Sequence, residues 1–309
     1  MFTGILCIIA ACFCWGLIFV IPLFLSSFSP VEIALGRYLF FGLTSLILLL
    51  GHRRHLFQKA YLGAWLNSIW FAFLSTLLSY TSIVFCIRYA NSAVAALIFG
   101  MSPITIALTG NLFKKEFSFR SFIIPCLVMA LGIMFTNIHA FQLDATNVSL
   151  YCIGFFCGLL GLASWTWYTI ANFHYLKRRP MPTHDWIVML GVSTLLLVFL
   201  SAGIYACLNS MNHYLHWSPE LESFLLGSFI LGTVSTWAAF YFWNRGNLRL
   251  PISLAGQLTV FEMIFGLLFV YLAEERWPTS LEVTGMVLML IGVLAAFKSL
   301  RKVPSHATS

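Results

Sequence analysis

Charge is what this chain has least of: Asp, Glu, Lys and Arg make up 9% of its 309 residues, where soluble domains are roughly one-quarter charged. Hydrophobic residues make up 60%. That balance excludes a soluble globular protein and describes an integral membrane protein, with no polar stretch long enough for a separate soluble catalytic domain. A GxxxxGK[ST] phosphate loop is missing, so a nucleotide-driven pump has no support. No HExxH or other metal spacing occurs, and the histidines lie in loops or at helix ends. The eight cysteines (Cys7, Cys12, Cys14, Cys86, Cys126, Cys152, Cys157 and Cys207) sit inside apolar runs without CxxC pairing. They read as small hydrophobes, not as metal ligands or disulfide partners. No cofactor is expected. An intramembrane enzyme would need two acids with two histidines at membrane depth, or a serine with a base, and neither set is found.

What is present is hydrophobic length. Apolar runs and the loops between them predict spanning helices at about 2–25, 30–50, 63–87, 92–113, 121–138, 149–173, 187–208, 223–244, 252–273 and 281–298. The opening MFTGILCIIAACFCWGLIFVIPLFL lacks a basic n-region and exceeds a signal-peptide core, so it is expected to remain as the first span. The net charge of +7 is spread as short basic clusters between apolar runs, a topology signal and not a nucleic-acid surface. Fourteen basic residues fall on one side: Arg53, Arg54, Lys59, Lys114, Lys115, Arg120, Lys177, Arg178, Arg179, Arg245, Arg249, Lys298, Arg301 and Lys302. Only Arg88 and Arg276 fall on the other, with Arg37 inside the second helix. The first side is cytoplasmic by the positive-inside rule, which places both termini there.

The ten helices divide near Asp144 to Ser149, and the two parts resemble each other. ACFCWGLIFVI around Trp15 matches GLASWTWYTIA around Trp165, and SAVAALIFGMSPITIALTGNLFKKE matches PISLAGQLTVFEMIFGLLFVYLAEE, setting Pro103 against Glu262. Five helices per part is an odd number, so the parts enter the membrane from opposite sides. The expected fold is an all-α integral membrane protein of ten transmembrane helices in two inverted five-helix repeats, 1–147 and 148–298, with a cytoplasmic tail at 299–309. Inverted repeats place a substrate site near the midplane, between the parts.

These residues resemble the drug/metabolite transporter superfamily, of the ten-helix EamA type. In the first half the resemblance rests on Cys14-Trp15-Gly16, Pro30 with Arg37, Pro103, and Glu116 followed by Gly132. In the second half it rests on Ala238 to Arg245, on LAGQLTVFEMIFG from Leu254 to Gly266, and on Glu275 followed by Gly285 and Gly292. Met263 stands where the family carries a proline in the ninth helix. The resemblance implies a transporter of the cytoplasmic membrane for small polar or amphipathic metabolites such as amino acids or their derivatives, often exporting.

Glu262 is the leading candidate residue, because an acid at the centre of a membrane helix costs at least about 2.5 kcal/mol and such groups face a bundle interior or a cavity. Its readings are recognition of an amine or cation, carriage of a coupling proton, or a hydrogen bond between helices. Ala255, Leu258, Thr259, Phe265 and Gly266 fall on or near its face, while Gln257 lies off it but still needs a buried partner. Arg37 could meet a substrate carboxylate, anchor at the interface or pair with Glu32; facing one cavity with Glu262, it would suit a zwitterion. Trp15 and Trp165 occupy equivalent repeat positions, and an indole face beside a carboxylate favours organic cations. Trp237, Tyr241 and Asn244 share one helix face, as do Tyr168 and Asn172, either lining a pathway or joining helices. Gly154, Gly158 and Gly161 mark close helix packing. The expectation is a secondary transporter working by alternating access, with a small-molecule substrate, the lipid bilayer and a coupling proton as partners and no nucleic acid. An intramembrane enzyme and a non-transporting sensor or scaffold are the alternatives.

Overall fold

Inside a bilayer the backbone must satisfy its own hydrogen bonds, which leaves helices and closed barrels. The computed structural model takes the first course. It describes residues 2–102, 104–106, 108–109, 123–125, 127–132, 134–135, 148–178, 181–208, 218–250, 255 and 258–301. Their helices are α1 (Phe2–Phe24), α2 (Pro30–His52), α3 (Leu62–Tyr89), α4 (Ser92–Phe99), α5 (Ile123–Gly132), α6 (Val148–Arg178), α7 (Thr183–Leu208), α8 (Pro219–Asn247), α9 (Val260–Ala273) and α10 (Ser280–Arg301). Among the described residues there is no strand.

Six of these helices, α1, α2, α3, α6, α7 and α8, are long and apolar enough to cross a membrane, and shorter apolar stretches lie at Ser92–Ile106, Ile123–Gly132, Val260–Ala273 and Ser280–Gly292. The described residues are therefore all-helical, as the sequence predicts, with six helices of spanning length among them; the expected ten spans extend into residues outside the described set. The shortening at α4, α5 and α9 falls beside residues outside the described set, among them Pro103, Glu116 and Gln257.

Helix starts are fixed by local chemistry. Ser29 caps α2 by accepting from the Glu32 N–H at 3.2 Å, while Glu32 accepts from the Ser29 N–H at 2.6 Å, and Pro30 occupies the first turn. This reciprocal box satisfies two otherwise orphaned donors. It also commits Glu32 to its own helix end. Asn91 and Ser218 cap α4 and α8 by accepting from the Val94 and Leu221 N–H groups.

Two spans are not α-helical throughout. Phe73–Leu78 within α3 and Ile230–Ala238 within α8 are π-helical: the Ser79 N–H reaches Leu74 O, and the Ala239 N–H reaches Val234 O, each five residues back. Such wide turns are rare and concentrate at functional sites.

The first-half helices find their main partners in the second half. α1 packs along α9 and the end of α8, α2 along α7 and the wide turn of α8, and the end of α3 along α6. One core cluster consequently runs through both halves. The α3–α6 contact is glycine-dependent, as its spacing predicts. A Cβ at Gly154 would stand 2.7 Å from the Ala90 amide nitrogen, one at Gly158 2.8 Å from Cys86 Sγ, and one at Gly161 2.9 Å from Ser79 O.

Gly154→Ala should lower thermal stability by about 1–3 kcal/mol, the cost of overpacking. Gly203→Ala, with nothing within 4 Å, is the control and should leave the melting temperature of the purified protein unchanged or slightly raised. Equal melting temperatures for the two variants would contradict the close α3–α6 approach.

Candidate functional site

Aromatic residues from three helices meet in the middle of the bundle. Trp15 of α1 and Trp165 of α6 stand edge to face, with centroids 5.2 Å apart at 83°. Phe240 of α8 lies parallel to Trp165 at 6.0 Å and 7°. Tyr168 backs this group, 5.3 Å from Trp165 and fully buried. Edge-to-face and offset pairs of this kind add stabilisation beyond their buried area. Trp15 and Trp165, which the sequence reading sets at equivalent positions of the two halves, are thus in contact.

Beside them lies a cavity of about 30 Å³. Its walls include Trp15, Trp165, Phe240, Tyr38, Tyr80, Ser75 and Ser79, and both Arg37 and Glu262 line it. By volume it admits about two waters. Each charged residue is only 4% exposed.

Arg37 points inward and is well held. Its Nε donates to Thr236 Oγ1 at 2.7 Å and its Nη2 donates to Ser235 O at 3.0 Å. The guanidinium carbon also lies 3.9 Å from the Tyr80 ring centroid. Neither interfacial anchoring nor pairing with Glu32 is seen, since Glu32 is engaged in the α2 cap. Glu262 is held less completely, and its Oε2 has no hydrogen-bond partner among the described residues. No ion pair joins it to Arg37 there. Among the described residues no group of three or more His, Cys, Asp or Glu could hold a metal, and Cys7, Cys12, Cys14, Cys86, Cys152 and Cys157 are free thiols.

The other sequence candidates lie elsewhere. Trp237 and Tyr241 stack on each other at 6.0 Å and 7°, and His184 at the start of α7 covers Tyr241 at 4.6 Å. Arg245 donates to the Tyr241 hydroxyl. Neither Trp237 nor Tyr241 lines the cavity. Close by, Asp185 is clasped by Arg53 at 3.2 Å and His55 at 3.1 Å. Asn172 donates to Asn244 Oδ1 at 3.2 Å and accepts from Trp186 Nε1 at 2.7 Å, joining α6, α7 and α8. This pair therefore acts as inter-helical glue. Gln257 lies outside the described residues. Sequence reading did not select Phe240, Tyr38, Ser75 or Ser79. Phe240 sits within the run Ala238 to Arg245 that carried part of the family resemblance, which was the available signal.

Comparison with known proteins agrees with this architecture. Residues 2–138 match the EamA-like transporter family. Over 311 residues the chain is 26% identical to the inner membrane protein YtfF of Escherichia coli (strain K12), covering 97% of this chain and 96% of that protein. A protein of known crystal structure shares the fold, with a TM-score of 0.67 at 18% identity over 98% of this chain and 99% of the other. The family match points to a transporter and the relative to a membrane protein.

Asn172→Ala strips partners from Trp186 Nε1 and Asn244 at once. A buried donor left unmade costs about 1–3 kcal/mol. The variant should therefore melt measurably below wild type in detergent, and an unchanged melting temperature would remove this network from the account.

Proposed function

We infer, from the match of residues 2–138 to the EamA-like transporter family, that this chain is a secondary-active transporter of small polar or amphipathic metabolites, amino acids or amines among them. It works as an exporter or exchanger in the cytoplasmic membrane, where the relative YtfF is described as an inner membrane protein. One observation carries the reading: Glu262, whose Oε2 has no partner among the described residues, and Arg37 line one cavity between helices of both halves.

A buried acceptor without a partner suits the ammonium of an amine or a coupling proton. The N–H groups of Arg37 beyond those given to Thr236 and Ser235 suit the carboxylate of a zwitterion. Trp15 and Trp165 offer indole faces to an organic cation, with Tyr168 fixing Trp165 from behind. Trp237 and Tyr241 then stand along the pathway and not at its centre, and Gln257 joins the site on sequence grounds alone. At about 30 Å³ the cavity is smaller than any such substrate, so passage requires the helices to part. Rocking of 1–147 against 148–298 as inverted five-helix repeats supplies that motion. The absence of a phosphate-loop motif directs the energy source to a gradient or to exchange. Exposed apolar residues such as Ile47, Leu66, Phe156, Phe199 and Leu268 face lipid, and both termini are cytoplasmic by the charge distribution.

Glu262→Gln should reduce flux of radiolabelled amino acids or amines in proteoliposomes by at least about tenfold, with insertion and melting temperature retained. Flux equal to wild type across the panel would sink the role of Glu262. Alkaline phosphatase should be active when fused after Trp277 and inactive when fused after Arg249, and the reverse pattern would invert the orientation.

A further inference from the structure

The two wide turns occupy matching places. α3 and α8 are the third helices of the two proposed repeats, and each has an α-helical stretch on either side of its π-helical segment: Leu62–Ala72 and Ser79–Tyr89 in α3, Pro219–Phe229 and Ala239–Asn247 in α8. Both turns border the cavity. Ser75 lies in the first, Ser79 and Tyr80 follow it, and Phe240 follows the second.

Arg37 touches both. On one side it donates to Ser235 O and Thr236 Oγ1, inside the wide turn of α8. The Thr236 hydroxyl in turn donates to Leu231 O at 2.8 Å, five residues back, closing that same turn. On the other side the guanidinium lies against the Tyr80 ring, just past the wide turn of α3. Contact between α2 and the α8 turn is tight: a Cβ at Gly232 would stand 2.7 Å from Phe40 Cβ. A wide turn holds one residue more than an α-helical turn, and one residue corresponds to about 100° of rotation for everything beyond it. Closing either turn would therefore re-aim the cavity residues that follow.

We propose that Arg37 is a positioning residue for transport that couples the wide turns of α3 and α8, so that a change in one is passed across the cavity to the other. This rests on the transporter reading. A carboxylate drawn to the remaining Arg37 donors would be sensed by both halves together.

The test uses the full-length protein in lipid nanodiscs and hydrogen–deuterium exchange, which needs no substrate. Thr236→Val keeps the shape of the side chain and removes the hydroxyl, and Thr236→Ser restores it. The coupling predicts that Thr236→Val raises exchange at least about tenfold both in 230–238 and in 73–78, with 148–178 unchanged and Thr236→Ser within about twofold of wild type. Arg37→Lys, which cannot reproduce the forked contacts, should give the same paired change and serves if Thr236→Val does not fold. A change confined to 230–238, no change, or a uniform rise over all segments would each overturn the coupling. In proteoliposomes Thr236→Val should lower the maximal rate of amino-acid flux while leaving KM within about twofold. Wild type that moves no amino acid or amine would defeat the transporter reading, and the exchange pattern would still decide the coupling.

Discussion

An arginine and a glutamate buried in a bundle that faces lipid set the terms for the structure around them. Either charge costs at least about 2.5 kcal/mol at the centre of a bilayer unless its surroundings compensate. The compensation is unequal. Arg37 has a hydroxyl, a carbonyl and an aromatic face, all from helices other than its own. Glu262 keeps one oxygen without a partner among the described residues. The arginine thereby acts as a fixed peg and the glutamate as an open acceptor, on walls of the same cavity.

Holding such a pair requires helices from both halves to converge, and the packing follows from that. α1 lies between α8 and α9, α2 lies against α7 and the wide turn of α8, and α3 closes on α6 over a row of glycines. The core draws on residues from both halves of the chain. The polar contacts away from the cavity, Asn172 with Asn244 and Trp186, and Asp185 with Arg53 and His55, likewise tie elements from different parts of the chain. The wide turn of α8 supplies the carbonyl and hydroxyl that Arg37 uses, so a local irregularity of one helix becomes the partner of a charge on another.

Much of this was legible in the sequence. Arg37 and Glu262 stand out because an ionisable residue in an apolar run is rare, and Trp15 and Trp165 because the sequence likeness of the two halves sets them at equivalent places. The wide turns were not legible: helices apolar nearly all round leave no periodicity from which one extra residue per turn can be read. That omission has a consequence at the site. Spacing correctly sets Trp237 against Tyr241, but beyond the wide turn it is Phe240 that reaches the cavity, while the stacked pair meets His184. Asn244, counted with that pair by spacing, joins Asn172 instead.

The central proposal is that the Glu262 oxygen without a partner among the described residues receives an ammonium, with a coupling proton as the other occupant. Thermal unfolding of the purified protein against simple amines, simple carboxylates and zwitterionic amino acids tests it most directly, since a ligand at about 100 times its dissociation constant stabilises the folded form by about 2.7 kcal/mol. The account predicts that amines or amino acids, but not simple carboxylates, raise the melting temperature of wild type and fail to do so for Glu262→Gln. An equal rise in both proteins, or stabilisation by carboxylates alone, would contradict it.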